Sequence, residues 1–198
     1  SGRRQASAAL ARTVLQRRLA SSTMAIYESI RRRQERQQAL LKELEDLSPA
    51  QRARRLAQLQ GRLADVEQDE DDLDDSERDQ LADQFTSAAD LDNLKTEIAA
   101  LQELLAQARR VRDQGSDSKL NALKACLERA EFKELSDGRG KLLIFTEHRD
   151  TLNYLESRIG TLLGRREAIV MIHGGMGREE RMKAQEAFKH DPEVQVLL

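Results

Sequence analysis

The fold of the C-terminal part of this chain is decided by three short apolar runs, KLLIFT (141–146), AIVMI (168–172) and VQVLL (194–198). Continuous apolar runs of this length are typical of strands buried on both faces of a parallel sheet. Helical patterns separate them, from about Arg149 to Leu163 and from Arg178 to Lys189. This alternation of strand and helix predicts right-handed βαβ units and a parallel sheet.

The third run ends at Leu198, where the sequence stops in the middle of a predicted strand. Three strands do not complete a domain of this kind, so we interpret the α/β part as truncated. On this interpretation the strand at 194–198 has an open edge, which invites pairing with another copy of the chain.

The preceding residues predict helices, because apolar side chains recur there at helical spacing. One helix is expected from about Ala6 to Leu19. Ser21 and Ser22 then offer a break and a new N-cap, and a second helix runs to about Leu47. The middle of the second helix, Arg31 to Gln38, is polar all round, so we expect it to project into water. A third helix is expected after Ser48-Pro49, since proline fits the first turn of a helix.

Two further helices complete the helical part and lead out of it. One is expected from Asp90 to Asp113 and the other from Ser118 to Leu135, ended by Asp137–Gly140. A Gly/Ser/Asp linker at 114–118 separates them and places the domain boundary between residues 116 and 117. The predicted fold class is therefore mixed: a long α-helical hairpin or bundle (1–116), then a truncated α/β subdomain with a parallel sheet (117–198).

Composition and charge limit the function classes. Charged residues make up 34% of the chain and aromatic residues 3%, which favours exposed helices. Residues 1–36 carry nine arginines, which suit either phosphate contact or an ordinary solvated face, whereas Glu67–Asp75 is an acidic run. A single cysteine, Cys126, excludes an internal disulfide. No apolar run reaches the ~20 residues that span a bilayer, and no signal peptide is evident, so we expect a cytoplasmic protein.

Several stretches together resemble a known family. KLLIFTEHRDTLNYL (141–155), IHGGMGREERMKAQEAF (172–188) and VQVLL (194–198) resemble the start of the second, RecA-like domain of superfamily-two helicases. They are most similar to the Snf-type, RapA-like bacterial DNA translocases. DSKLNALKACLE (117–128) resembles the helix leading into that domain, and residues 13–33 resemble the helical segment between the two motor domains. Residues 48–113 match only as a variable helical insertion.

The resemblance implies a fragment of an ATP-dependent, nucleoid-associated DNA translocase. ATP and magnesium would bind a first motor lobe outside this sequence, and the second lobe would close on them, so no catalytic residue is assigned here. Two loops would face the DNA backbone: Thr146, His148 and Arg149 after the first strand, and His173, Gly174 and Gly175 after the second. This placement is physically reasonable, because ligands of open parallel sheets bind beyond the carboxyl ends of the strands.

Structural roles for the same residues remain open. Thr146 and Glu147 can simply end a strand and cap the next helix, and His173 can be an ordinary loop residue. Gly174 and Gly175 suit either a tight turn or close approach of a phosphate. Gly177 offers no side-chain acceptor to the helix after it, although Glu180 stands at the capping-box position.

Other motifs do not carry chemistry. Asp69-Glu70-Asp71-Asp72 has the letters of an acidic ATPase box but follows no buried strand, so we interpret it as a charge run. Gly138-Arg139-Gly140-Lys141 lacks the earlier glycine of a phosphate loop. The three histidines are scattered and imply no metal site.

A second hypothesis comes from another class of protein. The leucine stripes at 40–66 and 91–111 also suit a non-catalytic helical module that binds a partner protein, with the α/β part as an appendage. Such stripes equally form the core of a hairpin, and self-association through the hairpin or the sheet edge is a further expectation.

Overall fold

A computed structural model describes residues 2–66, 90–114, 117–127 and 140–198. The chain divides into two compact units, Ser1–Gly115 and Ser116–Leu198, termed here the helical unit and the α/β unit. The acidic run at 67–75, the end of the helix predicted over 118–135 and the turn at 137–139 lie outside the described residues.

Four described helices form the helical unit, and their caps follow from the sequence. They are α1 (Gly2–Ser21), α2 (Thr23–Glu45), α3 (Pro49–Val66) and α4 (Leu91–Asp113). Ser22 accepts a hydrogen bond from the backbone N–H of Ala25 at 3.0 Å, which makes it the N-cap of the two serines predicted there. Asp90 caps α4 in the same way through Asn93 at 2.9 Å.

Helices α2 and α4 form an antiparallel hairpin. Near one end of the pair, the Arg112 guanidinium lies 4.1 Å from the centre of the Tyr27 ring. Near the other end, Lys95 Nζ lies 3.6 Å from a Glu45 carboxylate oxygen. The start of α2 therefore meets the end of α4. Leucine and isoleucine side chains form the core between them and α3, namely Leu40, Leu44, Leu56, Leu94 and Ile98.

The polar middle of α2 is not a solvated face. Arg33 is 8% exposed and Gln37 only 1% exposed, so the prediction that Arg31–Gln38 projects into water is wrong for these two residues. The guanidinium of Arg33 donates to the Glu97 carboxylate on α4 at 2.8 Å. A charge that is paired in this way can be buried at a tolerable cost, and a helical wheel of α2 alone does not include its partner.

The α/β unit contains helices on a small parallel sheet. Its described elements are α5 (Ser118–Leu127), β1 (Leu142–Leu143), α6 (Arg149–Leu163), a 3₁₀ turn (Arg166–Ala168), β2 (Ile169–Val170), α7 (Arg178–His190) and β3 (Val196–Leu197). The predicted combination of a helical part with a smaller α/β part and a parallel sheet is thus confirmed. The core packs α6 against the sheet through Leu152, Ile159, Val196 and Leu198. No described helix has the length and apolar character needed to cross a membrane.

The third strand lies in the centre of the sheet, whose order is β1-β3-β2. Leu142 N–H donates to the Gln195 carbonyl at 2.7 Å on one side, and Gln195 N–H donates to the Ala168 carbonyl at 2.8 Å on the other. The expectation of an open edge at 194–198 is therefore wrong. The connection from β1 through α6 to β2 leaves space for one strand, and β3 fills it.

The first strand is an edge strand, and one of its faces is exposed. Phe145, just after β1, is 86% exposed and Leu143 is 48% exposed, whereas Leu142 and Ile144 pack against the core. The prediction that KLLIFT is buried on both faces is wrong for this strand, because α6 covers one face of it and Leu143 and Phe145 lie on the other.

Removing the buried partner of Glu97 should destabilise the helical unit. We expect Arg33→Met to lower the free energy of unfolding by about 3 kcal/mol, because it leaves a carboxylate with little access to water. Urea unfolding followed by circular dichroism at 222 nm measures the effect. The double variant Arg33→Met/Glu97→Leu should recover much of the loss.

Arg31 provides the matched control for this variant. It pairs with Glu28 and Glu35 at 2.8 Å, but its side chain is 39% exposed. Arg31→Met should therefore cost about 1 kcal/mol or less. Equal losses for the two arginine variants would contradict a specific role for the Arg33–Glu97 pair.

Candidate nucleic-acid interface

The two predicted site loops lie at the same edge of the sheet. Both follow the carboxyl end of a strand, and the strands run parallel. Because β1 and β2 flank β3, the loops leave the sheet about 10 Å apart, which is two strand spacings. The carboxyl edge of a parallel sheet is where ligands of such sheets bind.

The loop after β1 presents Arg149 more openly than His148. Arg149 is exposed and is the first residue of α6. His148 occupies the N-cap position of that helix but is only 5% exposed, and its Nε2 lies 4.0 Å from a Glu147 carboxylate oxygen. Thr146 is half-buried. Arg149 is therefore the residue of this loop best placed to meet an anion.

The loop after β2 is a tight turn whose glycines are not required by its backbone. Met176 N–H donates to the His173 carbonyl at 3.1 Å, and the intervening Gly174 and Gly175 are exposed. Neither glycine has a positive φ; Gly164, at the C-terminus of α6, has φ 68°. A Cβ on Gly174 would meet no atom within 4 Å, and one on Gly175 would meet the His173 ring at 3.4 Å. The turn itself thus tolerates alanine.

The pKa of His173 reflects its burial and the charged side chains at this edge of the sheet. Its pKa is lowered from the ordinary value of 6.5, first by burial and then by the positive charge of Arg149. Arg181 lowers the same pKa further, while Glu180 opposes both arginines. Arg149 follows β1 and Arg181 lies on α7, so charges from two other elements act on His173, which follows β2.

The N-terminus of α7 completes the site. Glu180 accepts from the Gly177 N–H at 2.9 Å, as the capping-box position predicts. Arg181 folds back, and its Nε donates to the Met176 carbonyl at 3.0 Å. Sequence reasoning missed Arg181 because nothing in its helical spacing indicates a contact with the preceding turn. Its sequence position gives one signal for such a contact: Arg181 lies in the first turn of a helix that follows a glycine-containing loop.

The arrangement suits anion binding rather than covalent chemistry. Two helix N-termini, each with a partial positive charge, begin from the loops at this edge beside Arg149 and Arg181. Within the described ranges, no group of three or more His, Cys, Asp or Glu side chains could hold a metal ion.

Comparison with protein-family models, curated proteins and solved structures found no significant match. The candidate interface therefore rests on the identity of the residues, on their exposure and on the charges that surround His173.

Alanine substitutions at Gly164 and Gly174 distinguish a glycine that the backbone conformation requires from one that a ligand would require. We expect Gly164→Ala to lower the free energy of unfolding by about 1 kcal/mol, because a Cβ is disfavoured at positive φ. Gly174→Ala should change it by less than about 0.5 kcal/mol, since the added methyl group meets open space. Urea unfolding measures both, and a large loss for Gly174→Ala would assign this glycine to the turn.

The pKa of His173 should depend on Arg149. In a ¹H–¹³C NMR titration we expect the His173 midpoint below 6.5, and we expect Arg149→Gln to raise it, because a nearby positive charge is removed. An unchanged midpoint in Arg149→Gln would contradict the coupling between the two loops.

The lowered pKa of His173 also makes the stability of the fold depend on pH. With a lowered folded-state pKa, the folded chain binds fewer protons at His173 than the unfolded chain. This residue's contribution to stability is fully present above about pH 6.5 and is lost as the pH falls through the folded-state pKa.

Proposed function

We propose that this chain is the helical region and the beginning of the second motor lobe of a Snf-type, ATP-dependent DNA translocase. On this proposal the α/β unit is RecA-like, and its carboxyl sheet edge binds the phosphate backbone of DNA. ATP and magnesium are then held by a first lobe, in keeping with the lack of a phosphate loop in this sequence. The whole protein would act in the bacterial cytoplasm, at the nucleoid.

The observation that carries the proposal is the combination of Arg149 with the exposed glycine turn. Arg149 and the two glycines are exposed at the same edge of the sheet, and the charge of Arg149 lowers the pKa of His173, the residue before the turn. A phosphate that meets Arg149 can approach the turn closely, because Gly174 and Gly175 carry no side chains. Their backbone conformation gives no other reason for glycine.

Contacts of this kind position nucleic acid without reading its sequence. Arginine side chains, backbone N–H groups and helix N-termini bind phosphate oxygens, which are the same at every base pair. A translocase that moves along duplex DNA requires this independence from sequence. The six residues predicted from the resemblance contribute unequally: Arg149, Gly174 and Gly175 are exposed, Thr146 and His173 are half-buried, and His148 is buried.

The helical unit would then couple the two lobes. The leucines that suggested a protein-binding module pack against one another within this unit, as Leu40, Leu44 and Leu94 do. Those side chains are already occupied, which favours the hairpin's own core as their role. A helical unit that binds a protein partner is the alternative, and it predicts no salt-sensitive DNA binding in the test below.

The test is binding of a fluorescent DNA duplex to the chain by anisotropy, at several salt concentrations. We expect Arg149→Glu to weaken binding at least tenfold and to reduce the slope of log K against log salt by about 0.9, the loss of one phosphate contact. Gly174→Ala places a methyl group in the open space beside the turn. It should therefore weaken DNA binding without changing the free energy of unfolding.

Arg158→Glu is the matched control. Arg158 lies on the same helix, about 14 Å along its axis from Arg149, and is exposed beside the Tyr154 ring. It makes the same change in charge away from the sheet edge. Equal weakening by the two variants, or DNA binding that neither affects, would refute the proposed interface.

A further inference from the structure

The edge and the outer face of β1 form a second surface of the α/β unit. Side chains alternate along 141–147: Leu142, Ile144 and Thr146 are half-buried, and the residues between them are exposed. The outer face carries Leu143 and Phe145, and Phe145 at 86% is the most exposed large hydrophobic side chain of the described residues. Exposed apolar side chains beside a strand edge are typical of an association surface.

Backbone groups on this edge point away from the sheet. The N–H groups of Leu142 and Ile144 donate to the carbonyls of Gln195 and Leu197 on β3, at 2.7 and 2.9 Å. Because N–H and C=O groups alternate in direction along a strand, those of Leu143 and Phe145 point outward. Within the described part of the chain, β1 pairs with β3 and with no other strand. Leu143 and Phe145 therefore offer both backbone hydrogen bonds and apolar side chains.

The sequence of this edge is complementary to itself in one antiparallel register. Hydrogen-bonded pairs must join outward-pointing residues, so the possible registers differ by steps of two. When Leu143 faces Phe145 of a second copy, Phe145 also faces Leu143. Lys141 then lies toward Glu147, at the bend that follows the extended segment, at both ends. Neighbouring registers place Lys141 opposite Phe145, or Leu143 opposite Glu147. This register alone pairs apolar with apolar and positive with negative side chains.

Lys141 retains the capacity for this contact. Its Nζ donates to the carbonyls of Asp191 and Val194 at 2.7 and 2.8 Å. An ammonium group has three donors, so one remains for a carboxylate. The Glu147 side chain is 39% exposed.

We propose that a second copy of this chain pairs with β1 across a two-fold axis at Ile144, joining the two described three-stranded sheets into one continuous sheet. The interface is isologous: the same edge serves both copies, and pairing closes both edges at once. It stops at two chains along this edge, because neither β1 is then available to a third. The inference is independent of the proposed function, since the four residues whose side chains it pairs, Lys141, Leu143, Phe145 and Glu147, are outside the set assigned to DNA binding.

Sedimentation equilibrium of the whole chain over a range of concentrations tests the association. We expect a monomer–dimer equilibrium whose dissociation constant rises at least tenfold in Phe145→Glu and in Leu143→Lys. Met182→Lys is the control, since Met182 is an exposed apolar residue on α7 with 53% exposure and lies outside the β1 edge. Circular dichroism of each variant verifies that the fold is retained.

Mixing the two edge variants tests the register. In a pair of one Leu143→Lys chain and one Phe145→Glu chain, the introduced lysine and glutamate face each other, and the native Leu143–Phe145 pair remains on the other side. The mixture should therefore dimerise at least tenfold more tightly than either variant alone. Registers that place Leu143 opposite Leu143, or Phe145 opposite Phe145, give no such recovery.

A chain that is monomeric at every concentration would overturn the proposal, as would a dimer that the Phe145 and Leu143 substitutions leave unchanged. Weakening by both single variants without recovery on mixing would overturn the register and the two-fold axis with it.

Discussion

The backbone hydrogen bonds of β3 hold the α/β unit together, because β1 and β2 each pair with β3 and not with each other. Leu142 and Ile144 donate to β3 from one side, and Leu198 donates to the Val170 carbonyl at 3.0 Å on the other. The side chains of Val196 and Leu198 then fill the core beneath α6. The separation of the two site loops is set by this strand, so the geometry of the candidate interface depends on it.

Additional polar contacts fix the position of β3. Arg165, between α6 and the 3₁₀ turn, donates to the side chains of Glu193 and Gln195 at 2.9 and 2.8 Å. Gln195 is 1% exposed, so its amide needs such a partner. The helical unit uses the same principle at the Arg33–Glu97 pair. In both units a buried polar side chain is matched by a partner far away in sequence, which specifies one arrangement of the elements.

Local sequence signals predicted the elements well. The cap at Ser21–Ser22, the helix start at Pro49 and the three strand positions agree with the structure, because caps and short apolar runs act through neighbouring residues. Strand order, the burial of Arg33 and the exposure of Phe145 were not predicted. Each depends on which element lies alongside, and periodicity along one segment contains no information about its neighbour.

Some features of the candidate site could likewise be predicted from the sequence, and others could not. Its location at the carboxyl edge and the turn at Gly174–Gly175 could be predicted from strand–loop–helix patterns. The buried position of His148 and the contribution of Arg181 could not, because both depend on how a helix start folds back on its loop. The charges around His173 come from β1's loop and from α7, which are brought together only by the finished sheet.

The central position of β3 also has a consequence for the order of events during biosynthesis. The ribosome completes β1 first and β2 second, and at that stage the two strands have no common neighbour with which to pair. The contacts between Leu142 and Val196 span more than fifty residues, so they form only after the intervening helices have emerged. Until then the apolar side chains of β1 and β2 are exposed in the nascent chain, where molecular chaperones recognise such segments. Completion of this sheet therefore waits for β3 and does not proceed strand by strand.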